Sequence, residues 1–488
     1  MTLSTRKANM RSLKLLAATV LAVLPMTACE LLDPTNVTNP TVTEATFLET
    51  PNAAASWTRG VERQLASTTM QVIMGAEVVS DNLFNNRTLF SKVFDIPQID
   101  AEDFDVRNIQ RAVHTLRALS DDGLNVVIPG DANSTPAMTA QMHFYRAYAH
   151  LLAGELFVGL PATSGGSVAT PSQHLELAIG DFQAAASGGD ATMTAAATLG
   201  IARANYALGN RAAAVTAAQQ LLAANPTFVR YVQYDNVDGP TNTMQFAIYD
   251  SGQDEFQPLP RLDFLFPKYF SETAGQQSQV AILKAEEAHL ILAEAALADG
   301  NVASARTHLT NLLGLIATRP TASIDDRNQI RGRRGGTWIY PNAANILVKA
   351  SPSAEARAGL VLSRNDSRVT IPTLSGTSVT EAMLGAAGTV DEMLYLLYLM
   401  RQEVFVVEGR RMTDLGIRFP VALDEALTNE NISTTDPALT ARMPSFIPQN
   451  YQLDGFEYDD GDLLATILHD MNAVLVQNKG SADVLPFH

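Results

Sequence analysis

Two stretches of this chain repeat one pattern: an Ala-rich helix, a Gly-Asn turn and a second Ala-rich helix. Residues 195–226 read AAATLGIARANYALGNRAAAVTAAQQLLAANP and residues 285–313 read AEEAHLILAEAALADGNVASARTHLTNLL. Alanine at the facing positions lets two helices approach closely. Gly209 and Gly300 supply the positive φ that ends each first helix. A chain built this way commits to stacked antiparallel hairpins, so the fold class is mainly α. Helices are predicted near 54–73, 107–119, 137–158, 172–187, 192–208, 211–224, 280–298, 302–317 and 390–415. Between 226 and 270, and again between 318 and 380, the composition shifts to Gly, Pro, Thr, Asn and aromatics. Segments that long are more than turns; they are expected to carry function or to contain short strands.

The first hairpin closes on Asn225-Pro226, as tetratricopeptide repeats commonly do. The two copies support tetratricopeptide-like helical hairpins within a larger fold. Ahead of it, Arg6, Lys7, Arg11 and Lys14 precede the apolar run Leu15 to Leu24 and the small residues of Met26-Thr27-Ala28. That is the layout of an export signal. The run is too short to cross a bilayer as a helix, which takes about 20 residues. Cys29 follows at once and is the only cysteine of 488 residues, which rules out an intrachain disulfide. Thr-Ala-Cys resembles the lipobox of bacterial lipoproteins, with Met26 in place of the usual leucine. The resemblance implies a lipidated Cys29, anchored stably by several acyl chains. Residues 1–28 thus read as signal, 29–50 as a lipid-attached tether extended by Pro34 and Pro40, and 51–488 as the body. Acidic residues outnumber basic ones, 51 to 34. Such a surface repels phosphate backbones and argues against nucleic acid as a partner.

Three ordered segments of the body are similar to the SusD/RagB family of outer-membrane nutrient-binding lipoproteins. They are HFYRAYAHLLAGELFVGLP (143–161), LKAEEAHLILAEAALADGN (283–301) and RQEVFVVEGRRMTDLGIRF (401–419). Val158 and Leu160 depart from that family's exit sequence, and Lys284 replaces its arginine. The resemblance implies a non-enzymatic protein at the cell outer membrane that captures a nutrient, most often an oligosaccharide. Its implied architecture is a mainly α body of tetratricopeptide-like helical hairpins with an irregular, loop-rich ligand-binding subdomain, and its implied partner is a SusC-type TonB-dependent transporter. The residues themselves read as structural. Glu408, Arg411 and Asp414, spaced i, i+3, i+6, suggest a ladder along one helix, and Arg146 and Glu294 need partners inside Ala- and Leu-rich helices. No G-x-S-x-G elbow, Walker A loop or H-E-x-x-H is present. His143 and His150 stand seven apart, which does not suit a metal pair on a helix.

Sugar capture asks for aromatic faces beside planar polar groups. Trp57 falls in the first helix, where a core role is expected. Trp338 lies in a Gly-rich stretch with Arg333 and Tyr340, which together read as an exposed platform. Asn82, Asn85 and Arg87 form a second candidate cluster. Asp454, Asp459, Asp460 and Asp462 concentrate carboxylates around two glycines, as a calcium loop would, or as a solvated acidic loop does. Two rival readings remain open on the residues alone. One is a lipid-anchored helical scaffold for protein partners; the other is a secreted glycan hydrolase.

Overall fold

The computed structural model describes residues 44–48, 50–85, 92–250, 256–271, 273, 275–327, 340–364, 368–449, 453–484 and 487. A short helix, Glu44–Leu48, is closed by a bond from Thr50 N to Phe47 O. The compact body begins at Asn52.

The body's principal elements, in chain order, are α1 (Ala53–Val79), β1 (Leu83–Asn85), α2 (Phe104–Asp122), α3 (Pro136–Leu156), α4 (Pro171–Gly188), α5 (Ala191–Ala207), α6 (Arg211–Ala224), β2 (Val229–Val232), β3 (Phe256–Pro258), β4 (Val280–Lys284), α7 (Glu286–Ala298) and α8 (Val302–Ile316). They continue with β5 (Thr321–Ile324), β6 (Leu347–Lys349), β7 (Ala356–Arg357), β8 (Val369–Pro372), α9 (Val390–Val404), α10 (Arg411–Asp414), α11 (Leu423–Thr428), β9 (Phe456–Asp459) and β10 (Leu464–Ile467).

Helices α3 to α8 pack each on the next, so the two repeated hairpins are stacked through α6 against α7. Gly209 and Gly300, at φ 74° and 72°, end α5 and α7 as the sequence predicts. In each turn the following Asn N–H returns to a carbonyl five residues back, Asn210 to Asn205 and Asn301 to Ala296, which satisfies carbonyls the helix end would leave open. Thr170 and Gln173 form a capping box at the start of α4, and Thr389 with Glu392 does the same for α9. One apolar core runs beneath the array. Trp57 packs at its margin, its indole N–H donating to Leu119 O at 2.8 Å. A smaller core of Phe84, Tyr340, Val348, Phe456 and Ile467, among others, lies under the sheet ordered β9-β10-β6-β7. No helix among the described residues is long and apolar enough to cross a membrane.

Two predicted helices are corrected. Residues 280–284 form β4, paired antiparallel with β2, because the run Val-Ala-Ile-Leu is buried on both faces and the partner strand takes its backbone groups. The predicted helix 390–415 stops at Val404. Lys284 Nζ takes the Val404 carbonyl (2.7 Å), Lys268 Nζ that of Val406 (2.8 Å) and Tyr269 Oη that of Val407 (2.6 Å). Val407 and Gly409 then adopt φ of 54° and 72°, and α10 starts afresh. A β-branched residue in that region is strained and needs such outside support.

Glu408, Arg411 and Asp414 therefore form no ladder on one helix; each reaches a different element. Glu408 Oε1 accepts from both Lys268 and Lys284 at 2.6 Å. Arg411 forks onto Asp81 at 2.6 and 2.9 Å, and Asp414 accepts from Arg401 at 2.9 Å. Arg146 pairs with Asp121 and Asp181. Glu294 accepts from Tyr206 Oη, and burial pushes its carboxyl up to about 7. His143 Nδ1 donates to Asp181, whereas His150 meets His174, so the two histidines share no ligand. The motifs that carry the resemblance are thus the ion pairs that tie the array together.

Candidate functional site

The two irregular segments meet around one concave pocket. Tyr231, Gln233, Lys268, Tyr269 and Phe270 come from the first, Pro320, Thr373 and Leu374 from the second, and the strap 276–279 closes the remaining side. The cavity holds about 370 Å³, within the range of small-molecule sites.

Each wall has a local cause. Strand β2 pairs with β4 through a register break between Arg230 and Tyr231, and such a break re-aims a side chain. Tyr231 is half-buried there, and that burial raises its hydroxyl above its ordinary range. The strap Gln276-Gln277-Ser278-Gln279 has no regular structure and is held from behind. Asn242 N donates to Gln277 Oε1 at 2.7 Å and Asn242 Nδ2 to Ser278 O at 2.9 Å. Gln245 bonds both Gln276 O and Ser278 N. Gln233 Nε2 donates to Gln279 Oε1 at 2.9 Å across the mouth, and Ser271 Oγ to Gln276 Oε1 at 3.0 Å. Phe270 is braced edge-on by Tyr249, ring centres 5.0 Å apart. At the floor Lys268 is buried and turned onto Glu408, a carboxylate it shares with Lys284, and onto the Val406 carbonyl. The result is two partly exposed ring faces, four side-chain amides and a few hydroxyls, with no strong net charge. Such a surface can stack an apolar sugar face and match hydroxyls in fixed directions. Nothing in it resembles a nucleophile with its base.

The residues singled out from the sequence fall elsewhere. Asn82 is fully buried, donating to Glu77 Oε2 at 2.8 Å and accepting from Gln402. Asn85 sits buried in β1 with its N–H on Asp95. Tyr340 is not an exposed platform: it is 1% exposed, donates to Pro258 O at 3.0 Å, and packs on Phe84 and Phe456 in the smaller core. Cys29, Arg87, Arg333 and Trp338 lie outside the described residues. Asp454 is buried, whereas Asp459, Asp460 and Asp462 ring the exposed β9–β10 turn. There Asp459 Oδ1 accepts from the N–H groups of Gly461 and Asp462, so its carboxylate shapes the turn. Among the described residues no three His, Cys, Asp or Glu side chains are placed to hold a metal, so the aspartates do not converge as a calcium loop requires. The pocket's own signal was present in the sequence as GQQSQ, a run of planar amides. It lies just beyond the boundary at 270 and has no tryptophan or glycine pair to mark it.

Several solved structures superpose over most of the chain. A SusD-like protein from Bacteroides fragilis NCTC 9343 matches with a TM-score of 0.54 at 10% identity, covering 80% of this chain and 98% of that one. A SusD superfamily protein from Bacteroides thetaiotaomicron VPI-5482 matches at 0.51 and 10% identity, over 78% and 97%. The chain has the SusD-like fold. A third, a SusD superfamily protein from Parabacteroides distasonis ATCC 8503, matches at 0.50 and 14% identity, over 78% and 98%. No family profile and no curated protein matches the sequence. The SusD-like fold is thus kept here by packing and buried pairs at an identity where few individual residues correspond. The fold expected from the three short motifs is the fold found.

Proposed function

We propose that this protein is a non-enzymatic outer-membrane lipoprotein, anchored through Cys29, that captures a nutrient and passes it to a SusC-type TonB-dependent transporter. A glycan is the nutrient class that fits best. One observation carries the reading: both irregular segments contribute to a single pocket of ring faces and braced amides. A helical scaffold serving only protein partners gives those segments no reason to converge. The SusD-like fold supports the transporter as partner, and the lone cysteine behind an export signal supports the anchor. The stacked hairpins offer a rigid flank for docking, since close-packed Ala-rich helices deform little.

Two expected outcomes follow. Replacing Tyr231 with Ala removes one ring face and is expected to weaken glycan binding about tenfold, near 1.4 kcal/mol, in a calorimetric titration. A fold disturbed by the change would show in the unfolding curve, so both are measured on one preparation. The second concerns the anchor. Cys29→Ala is expected to move the protein from washed membranes to the soluble fraction, and to cut recovery of a β-barrel transporter in a pull-down from those membranes. Retention on the membrane after carbonate washing would refute the anchor. Recovery of wild type without any β-barrel partner would refute the delivery role.

A further inference from the structure

The body carries a second cavity, remote in sequence from the first and different in chemistry. It holds about 600 Å³ between α2, the turn at 163–165 and α11. Helix α2 lines it with Arg107, Arg111, His114 and Arg117. The facing carboxylates are engaged already. Asp424 accepts from Arg107 at 2.9 Å, and Glu425 accepts from Gln110 and from Asn429, each at 3.1 Å.

Two guanidiniums remain. Arg111 is exposed and makes no ion pair or hydrogen bond among the described residues. Arg117 is only 5% exposed, has no carboxylate in salt-bridge range, leaves Nε without a partner, and reaches Pro161 O at just 3.5 Å. Asp121 and Glu425 act on it from farther away. A cation buried like that is costly unless something pairs with it. His114 Nε2 is also buried and unpartnered, and burial pushes that ring down to about 4, so it is neutral at pH 7 and offers a hydrogen-bonding group rather than a charge. The hydroxyls of Thr115, Thr163 and Ser164 complete a polar wall, and Leu427, 65% exposed, stands at the rim. The cavity is thus locally cationic in a chain of net charge −17. Guanidinium forks match planar oxyanions in geometry as well as in charge.

We propose that this cavity binds the oxyanion group of a small organic acid or phosphate compound, with Arg111 and Arg117 as its cationic ligands and Leu427 covering an apolar part. The test is calorimetric titration of the full chain at low ionic strength, with sodium glucuronate in one arm and inorganic phosphate in the other. The expected result is saturable one-site binding of at least one anion; the arm that responds tells carboxylate from phosphate. Arg111→Gln should weaken it about tenfold or more, as loss of a charge-assisted bond does. Arg59→Gln, at an exposed arginine on α1 that is not part of the cavity lining, should leave it unchanged. Arg117→Met should abolish binding while raising the unfolding midpoint, because it removes a buried unpaired cation. If that variant does not fold, Arg111→Gln alone decides. No saturable binding of either anion, an unchanged affinity in Arg111→Gln, or an equal loss in Arg59→Gln would each overturn the proposal.

Discussion

Replacing Asp81 with Ala is expected to cost about 3–5 kcal/mol of stability, because it strands a buried guanidinium. Asp81 is 1% exposed and receives both Nε and Nη2 of Arg411, and Gln402 Nε2 donates to it at 3.0 Å. The pair joins the end of α1 to α10, which lie 330 positions apart in the chain. Gln402 also bonds Asn82 and accepts from Asn472, so the change unsettles a small network rather than one contact. The double variant Asp81→Leu, Arg411→Met removes both charges and is expected to regain most of the loss, since apolar pairs of similar volume often replace buried ion pairs without penalty. Urea midpoints of the wild type and the single and double variants give the coupling directly. A single-variant loss below about 1 kcal/mol, the range of exposed pairs, would mean that the pair does not hold these elements together.

Glu408→Gln is expected to be of similar size, about 3–5 kcal/mol at neutral pH, because two buried ammonium groups lose one shared carboxylate. Lys268 and Lys284 are 4% and 1% exposed. Burial brings Lys284 down to about 8, although Glu408 acts the other way. Its folded-state value is below that of the unfolded chain, so this group makes stability rise with pH from about 8 towards 10.5. Without Glu408 the amine sheds its proton at lower pH still. The deficit of the variant is therefore expected to be largest near pH 6 and to shrink as pH rises through 8, measured as unfolding midpoints against pH. A deficit constant over that range would show that Lys284 is not the group left unpaired. Lys268, one member of the triad, lines the amide-lined pocket, so the variant should also weaken ligand capture.

Helices were legible wherever small residues and caps acted locally. The hairpins at Gly209 and Gly300 are specified within a few residues, and the structure reproduces them. The breaks came where distant groups overrode local preference. VAILK reads as helix beside an Ala-rich run until β2 takes its hydrogen bonds. The 390–415 helix is ended by Lys268, Tyr269 and Lys284, more than a hundred residues earlier in the chain, which no local pattern encodes. The candidate site shows the same division. Aromatic and polar residues of the irregular segments do line the candidate pocket, but Tyr340 and Asn82 are consumed by the interior. Burial depends on tertiary placement, and alternation of residue types does not report it in loops. The amide run at 276–279 takes its place in the pocket wall, with Tyr231, from the bonds of Asn242 and Gln245 that hold it.

The pocket between the irregular segments is the proposed place of capture. Its most direct test is a calorimetric screen of neutral oligosaccharides against the chain from residue 30 onward, with the best responder then titrated into Gln277→Ala and Arg111→Gln. Saturable binding of an unaltered glycan, weakened by Gln277→Ala and untouched by Arg111→Gln, is the predicted result. Absence of binding across the screen, binding indifferent to Gln277, or cleavage of the glycan during titration would contradict it.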